Sequence, residues 1–201
     1  GVNWIKLMGV TGGSATAGQD IRRTQFTPEE IRAAADEAHR LGRRCAAHAH
    51  GLEGITACID AGVDTIEHGT FLDDRQAARM AEKGLYLVPT LLNAYARRRQ
   101  LGDASSRERD AQLERMGVRI PEPEERIAVA RRNGVKVLAG TDCGGNARAL
   151  FGMHGIELCM LVECGFSPME AIFAATGLAA QAMELAHETG TIRPGLAADL
   201  V

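Results

Sequence analysis

The sequence predicts an α/β fold, a parallel (β/α)8 TIM-like barrel, of which the chain holds the later part in five strands. Three observations lead there. One unit recurs four times: a helical stretch ends at glycine, a short apolar strand follows, and the strand stops at a polar residue. Strands alternating with helices of this length argue for parallel βα units with right-handed crossovers. The residues that close the strands are of kinds that do chemistry, and in a barrel all such ends face one mouth. The length of 201 residues suffices for one domain with a real core, but a full barrel needs about 250.

The front stretch "VNWIKLM" reads as the first of five strands and carries Lys6. The "MGVTGGSAT" that continues it has neither GxGxxG nor GK[ST], so it gives little support to a phosphate loop or to the competing fold, a doubly wound open sheet. Thr27 before Pro28, with Glu30 three residues on, opens a helix as a capping box with proline at its first position. That helix, "EEIRAAADEAHRLG", leads into "RRCAAHAH" and ends at His48 and His50. "EGITACIDAG" leads into "VDTIEHG" and His68, and "DRQAARMAEKG" into "LYLVPT" and Thr90. "EERIAVARRNG" leads into "VKVLAGTD" and Asp142. Gly42, Gly62, Gly84 and Gly134 are natural helix C-caps, because glycine enters the left-handed conformation without penalty. The charged segment 91–126 reads as a helix plus loop above the mouth. It is either a solvated insert or a source of arginines (Arg97, Arg98, Arg99) for an anionic substrate group.

Composition narrows the function classes. A net charge of −3 with 45% hydrophobic and 24% charged residues gives no electrostatic reason to expect nucleic acid or an anionic membrane as partner. No apolar stretch reaches the roughly 18 to 20 residues of a membrane span. Five cysteines, odd in number and without a CxxC pair, read as thiols in a reducing compartment, so a cytoplasmic location is expected. The first residue is not Met, and both ends fall inside extended apolar patterns. The expectation is a piece of a longer protein, in which no signal peptide can be judged.

Of the six histidines, His39 lies on an amphipathic helix beside Arg40 and reads as surface. His187 has no chemical neighbours in sequence. His48, His50 and His68 differ, because two adjacent βα units both end in imidazole. His48 and His50 are two apart on a strand and point to one face. With Asp142 closing a third strand and Lys6 on a fourth, these are neutral imidazole and carboxylate donors of the kind that suits Zn²⁺ and similar divalent ions. Lys6 sits among apolar neighbours, where a free ammonium is costly. It is either salt-bridged on an edge strand or converted to a carbamate able to bridge two metals.

These motifs together resemble the amidohydrolase superfamily, in particular its imidazolonepropionase-like and Xaa-Pro or Xaa-Arg dipeptidase/carboxypeptidase-like metal-dependent members. The likeness runs through "NWIKLMGVTGG", "AAHAHG", "AGVDTIEHGT", "VLAGTDCG" and "FSPMEAIFAATGLAAQAM", and closes with "GTIRPGLAADLV". It implies that Lys6 is a carboxylated bridging ligand on strand four and that His48 and His68 ligate metal from strands five and six. Asp142, on strand eight, is implied as both a ligand and the general base. It places His50 near the substrate, and His154 in "FGMHGIEL" is a second candidate there, the alternative being a packing role at a helix start. The cofactor implied is one or two divalent ions, zinc first, and the substrate a small amide or dipeptide. Residues 1–188 would be the later part of the barrel and 189–201 the return into a small β-sandwich. The full-length protein is expected to be a homo-oligomer. The family's strand-one HxH pair would lie upstream of Gly1. The competing readings are a non-catalytic barrel fragment and, among hydrolases, a cyclic amidase or deaminase.

Overall fold

Thr27 Oγ1 accepts from the Glu30 N–H at 3.2 Å and Glu30 Oε2 accepts from the Thr27 N–H at 2.8 Å, so α1 (Pro28–Arg40) begins with the expected capping box. In the computed structural model, which describes residues 1–12, 20–99, 101, 104–144 and 151–200, the four repeated units fold as βα pairs. The strands are β1 (Trp4–Thr11), β2 (Arg44–Ala49), β3 (Thr65–His68), β4 (Tyr86–Val88) and β5 (Lys136–Val137). They form one parallel sheet in sequential order, as consecutive barrel strands do. Helices α2 (Leu52–Ala61), α3 (Asp74–Lys83) and α6 (Pro123–Arg132) join α1 against its outer face. All four expected C-cap glycines are left-handed, with φ between 64° and 79°.

The two-residue period of a strand sorts its side chains. Cys45, Ala47, Ala49, Ile66 and Leu87 are buried beneath Ile31, Ile55, Ile59, Met80 and Ile127 of the helices. Lys6, aligned with Ala46, and His48, aligned with Glu67, belong to the opposite face of the sheet. β1 keeps its register from Trp4 to Leu7 and then shifts at a bulge around Gly9, which has φ 75°.

The apolar run after Gly134 predicted a longer last strand than the two residues of β5. Leu138 still donates to the Leu87 carbonyl at 2.8 Å, but the Ala139 N–H turns to Ala174 at 3.2 Å. Among the described residues β5 is laddered to β4, and the extended run stops where the Ala139 N–H leaves that ladder. The charged segment holds two helices, α4 (Leu91–Arg98) and α5 (Ala104–Arg115). Arg98 is bound to Glu122 and Glu124, and Arg99 lies over the Tyr95 ring, which favours the solvated reading of that segment. The remaining helices are α7 (His154–Glu163), α8 (Pro168–Ala175) and α9 (Gly177–Ala182). Residues 189–200, expected to lead into a β-sandwich, form turns tied back by the Ala197 N–H to the Glu188 carbonyl at 2.8 Å. Among the described residues no helix is long and apolar enough to cross a membrane.

Candidate metal centre

Three imidazoles meet at the carboxy-terminal ends of β2 and β3. The ring centroids of His48 and His68 are 4.3 Å apart, those of His48 and His50 4.8 Å, and those of His50 and His68 4.5 Å in a stacked pair. Strand alternation alone would put His68 on the helix side with Ile66. Its φ of 70° turns it against His48 instead. Thr90 and Asp142, at the ends of the next two strands, also have positive φ, 52° and 54°. Non-glycine residues rarely occupy this region, least of all β-branched ones, and such strain gathers where side chains must be aimed. Gly12 closes the group: a Cβ there would meet His50 Cδ2 at 2.7 Å.

The partners decide which nitrogens carry lone pairs. The Gly12 carbonyl can only accept, so His48 Nε2–H donates to it at 2.9 Å. Thr90 Oγ1 gives its own hydrogen to the Pro89 carbonyl at 2.8 Å and therefore accepts from His68 Nδ1–H at 2.7 Å. That leaves His48 Nδ1 and His68 Nε2, 2.9 Å apart, as two lone pairs facing each other. Either a shared proton or a shared cation resolves that conflict. Burial disfavours the proton. It holds His48 below the ordinary histidine value despite the Gly12 bond, and holds His68, crowded also by His50 and His48, well below it. Two nitrogens each about 2.0–2.1 Å from one zinc ion in a tetrahedral shell lie about 3.3 Å apart, so the donor pair would accept a metal by opening a few tenths of an ångström. Outer hydrogen bonds that fix the ring tautomer are the usual support of histidine ligands. His50 has one too, Thr70 Oγ1 at 2.7 Å from its Nδ1.

The other expected residues fall into two groups. Lys6 and Asp142 both act on His48 through space, the lysine lowering its pKa and the aspartate raising it. The Lys6 ammonium is ion-paired with Glu67, the salt-bridged alternative for that lysine. His154, exposed at the start of α7, makes no hydrogen bond or ion pair among the described residues. Four participants escaped the sequence reading. Glu67 could have been noticed as an acid inside an apolar strand. The Gly12 carbonyl, Thr70 and Arg126 offered no such signal. Arg126 is buried, with one N–H 3.3 Å from the His68 carbonyl and its Nε unpartnered among the described residues. Burial lowers its pKa to about 10.

Residues 2–201 match the profile of the amidohydrolase family. The chain belongs to that family. The chain is 32% identical over 203 residues to an ochratoxinase from Aspergillus niger, covering 100% of this chain and 40% of that one. It shares the fold of a crystal structure of a Xaa-Pro dipeptidase with methionine bound in the active site, with TM-score 0.83 and 33% identity, over 98% of this chain and 48% of that one. An imidazolonepropionase from Geobacillus is 27% identical over 188 residues, covering 89% of this chain and 38% of that protein. The chain thus spans less than half the length of these relatives. The family is metal-dependent, and the three histidines form a group that could hold an ion.

Proposed function

We propose that this chain carries the later strands' share of a metal-dependent hydrolase site that cleaves the C–N bond of a dipeptide or an N-acyl amino acid. The observation that carries the reading is the pair of opposed lone pairs on His48 Nδ1 and His68 Nε2, 2.9 Å apart in a site where protonation is disfavoured. The kinship with an ochratoxinase and a Xaa-Pro dipeptidase supports the bond type.

His48 and His68 would hold one ion, with Lys6 and Asp142 completing a site for one or two, zinc being the first choice for imidazole and carboxylate donors. When bound, such ions lower the pKa of water and polarise the scissile carbonyl. Asp142, exposed at its strand end, takes the water's proton and returns it to the leaving nitrogen. Lys6 as a carbamate would present two oxygens in place of its ammonium. That sets two anions, the carbamate and Glu67, side by side, a charge arrangement suited to divalent cations and poor without them. His50, held by Thr70, and His154 would steady substrate charge. Residues 189–201 would lead into a small β-sandwich of the longer protein.

The test is metal content together with turnover in the full-length protein. Zinc-loaded protein should hold one or two ions per chain and hydrolyse members of a panel of dipeptides and N-acyl amino acids. Replacing His48 and His68 by Ala should lose both properties. A full-length protein that retains no divalent ion and cleaves nothing in the panel has barrel packing without a working site, and the proposal fails.

A further inference from the structure

Glu157 is fully buried in α7, yet nothing in the chemistry above uses it. Its two carboxylate oxygens accept from the backbone N–H groups of Leu91 and Leu92 at 2.8 and 2.7 Å. Those are the first residues of α4, and the opening N–H groups of a helix have no partner within it. The side chain that normally satisfies them belongs to the N-cap residue, and threonine is well suited to the task. Here the N-cap is Thr90, and it makes no cap bond. Its backbone is left-handed, and its hydroxyl is spent on His68 Nδ1 and the Pro89 carbonyl. A carboxylate from another helix does the capping instead, sixty-six and sixty-five residues away in sequence.

We propose that Glu157 is a positioning residue for His68: by capping α4 in place of Thr90, it keeps the Thr90 hydroxyl on His68 Nδ1 and so fixes the lone pair of His68 on Nε2, facing His48. The consequence for metal affinity rests on the metal-site reading. The tautomer itself is a property of the metal-free protein.

The experiment follows the imidazole nitrogens of the metal-free full-length protein by long-range ¹H–¹⁵N NMR, alongside Zn²⁺ titration. Native His68 should show a protonated Nδ1 and a bare Nε2. Thr90→Val, which removes the acceptor at equal volume, should shift His68 toward Nε2–H, and Thr90→Ser should restore the native pattern. Glu157→Ala leaves the α4 N–H groups open, draws Thr90 back to them, and should reproduce the Thr90→Val shift. Zn²⁺ affinity should fall 10- to 100-fold in either variant, and no further in the double variant, because both act on one nitrogen. Should Glu157→Ala not fold, Glu157→Gln keeps one acceptor and should give a partial shift. A Glu157 variant that melts earlier but keeps native His68 shifts overturns the proposal, as do affinity losses that multiply in the double variant. Native protein that binds no Zn²⁺ sinks the metal-site reading and leaves the NMR arm to decide this one.

Discussion

At the amino-terminal ends of β2 and β3, Asp64 Oδ2 accepts from the Cys45 N–H at 2.7 Å and pairs with His39 at 2.9 Å. Its other oxygen is paired with Arg44, which also reaches Glu184. At the opposite ends of the same strands, three imidazoles crowd together and two of them turn lone pairs on each other. Both ends gather titratable groups, but the first joins acids to bases and the second turns two neutral ring nitrogens on each other. Burial pushes the Asp64 carboxyl up, yet the Cys45 N–H, His39 and Arg44 together hold it below its usual value. Burial of His48 and His68 is not answered in that way. Matched charges mark the end that holds the sheet together, and unmatched donors mark the end built to take something in. His39 accordingly belongs to the first end: half-exposed as its helix position suggested, but hydrogen-bonded to Asp64.

The largest effect that sharpens this contrast is expected at Asp142. Asn keeps a ligand oxygen and nearly the same volume but cannot accept a proton at neutral pH. If the proposed hydrolase reading holds, Asp142→Asn in the full-length protein should cut kcat by about 10²- to 10⁴-fold, the range general acid–base catalysis supplies, while most bound zinc remains. Measuring kcat and zinc content together decides the role. If excess zinc restores turnover fully, Asp142 serves only as a ligand.

Next in size is the buried carboxyl behind the site. Burial pushes Glu157 up from 4.5 to about 7, against the pull of its Leu91 and Leu92 donors and Arg126. The folded state then holds this proton more tightly than the unfolded one. Its contribution to stability is full below pH 4.5 and is lost as pH rises through about 7. Glutamine does not titrate. The stability of the native chain relative to Glu157→Gln should therefore fall by about 3 kcal/mol between pH 4.5 and 8, read from urea midpoints across that range. A difference that stays flat with pH means that the two N–H donors offset burial and the carboxylate ionises as freely inside as outside.

The architecture was legible in the sequence because its signals are local. Helix-terminating glycines at 62 and 84 and the Thr27–Glu30 capping box act within a few residues, and the structure repeats them. The strand-end histidines were legible for the same reason. Their arrangement was not. His68 reaches His48 only through a backbone angle that the two-residue period contradicts, and its tautomer depends on Thr90 one strand over. Glu157 was invisible because its role comes from a helix that packs back on α4 from far along the chain. Strand length misled at β5, where apolar pattern continues past the point at which hydrogen bonding stops.

A smaller effect, confined to the paired end, is expected from Asp64→Asn. The amide keeps one acceptor and turns a donor toward groups that also donate, Cys45 N–H or Arg44. Hydrogen bonds to a charged group are each worth about 1.5–3 kcal/mol, so a loss of about 2 kcal/mol in chemical denaturation is expected at neutral pH. Because Asp64 is held below its unfolded value of 3.8, its stabilisation is present above that pH and disappears as pH falls through the lower, folded value. The native and Asn proteins should therefore converge in acid. Zinc affinity should not move. A substantial loss of zinc binding in Asp64→Asn would mean that the two ends of the sheet are coupled and that the contrast between them is wrong.

The smallest expected effect tests whether strained backbone means the same thing at both ends. Glu184 is left-handed, φ 61°, just past α9, where the Leu185 N–H reaches the Ala180 carbonyl at 2.8 Å. That is a helix-end position glycine normally fills. Glycine there would relieve about 1–2 kcal/mol of strain, offset by about 0.5–1 kcal/mol of extra chain entropy in the unfolded state. It also gives up the exposed pair with Arg44, which at such a site contributes about 0.2–1 kcal/mol. Because these contributions nearly cancel, Glu184→Gly should leave stability within about 1 kcal/mol of native. Glu184→Ala loses the pair, keeps the strain and should be the less stable of the two. Zinc affinity should be native in both. Thr90, at φ 52°, should answer differently: Thr90→Gly relieves the same kind of strain but deletes the hydroxyl on His68, so zinc affinity should drop even where the melting temperature does not. Matching behaviour of the two glycine variants, with zinc affinity untouched in both, would reduce the strain at Thr90 to an accident of chain packing and leave only the lone-pair geometry to mark the site.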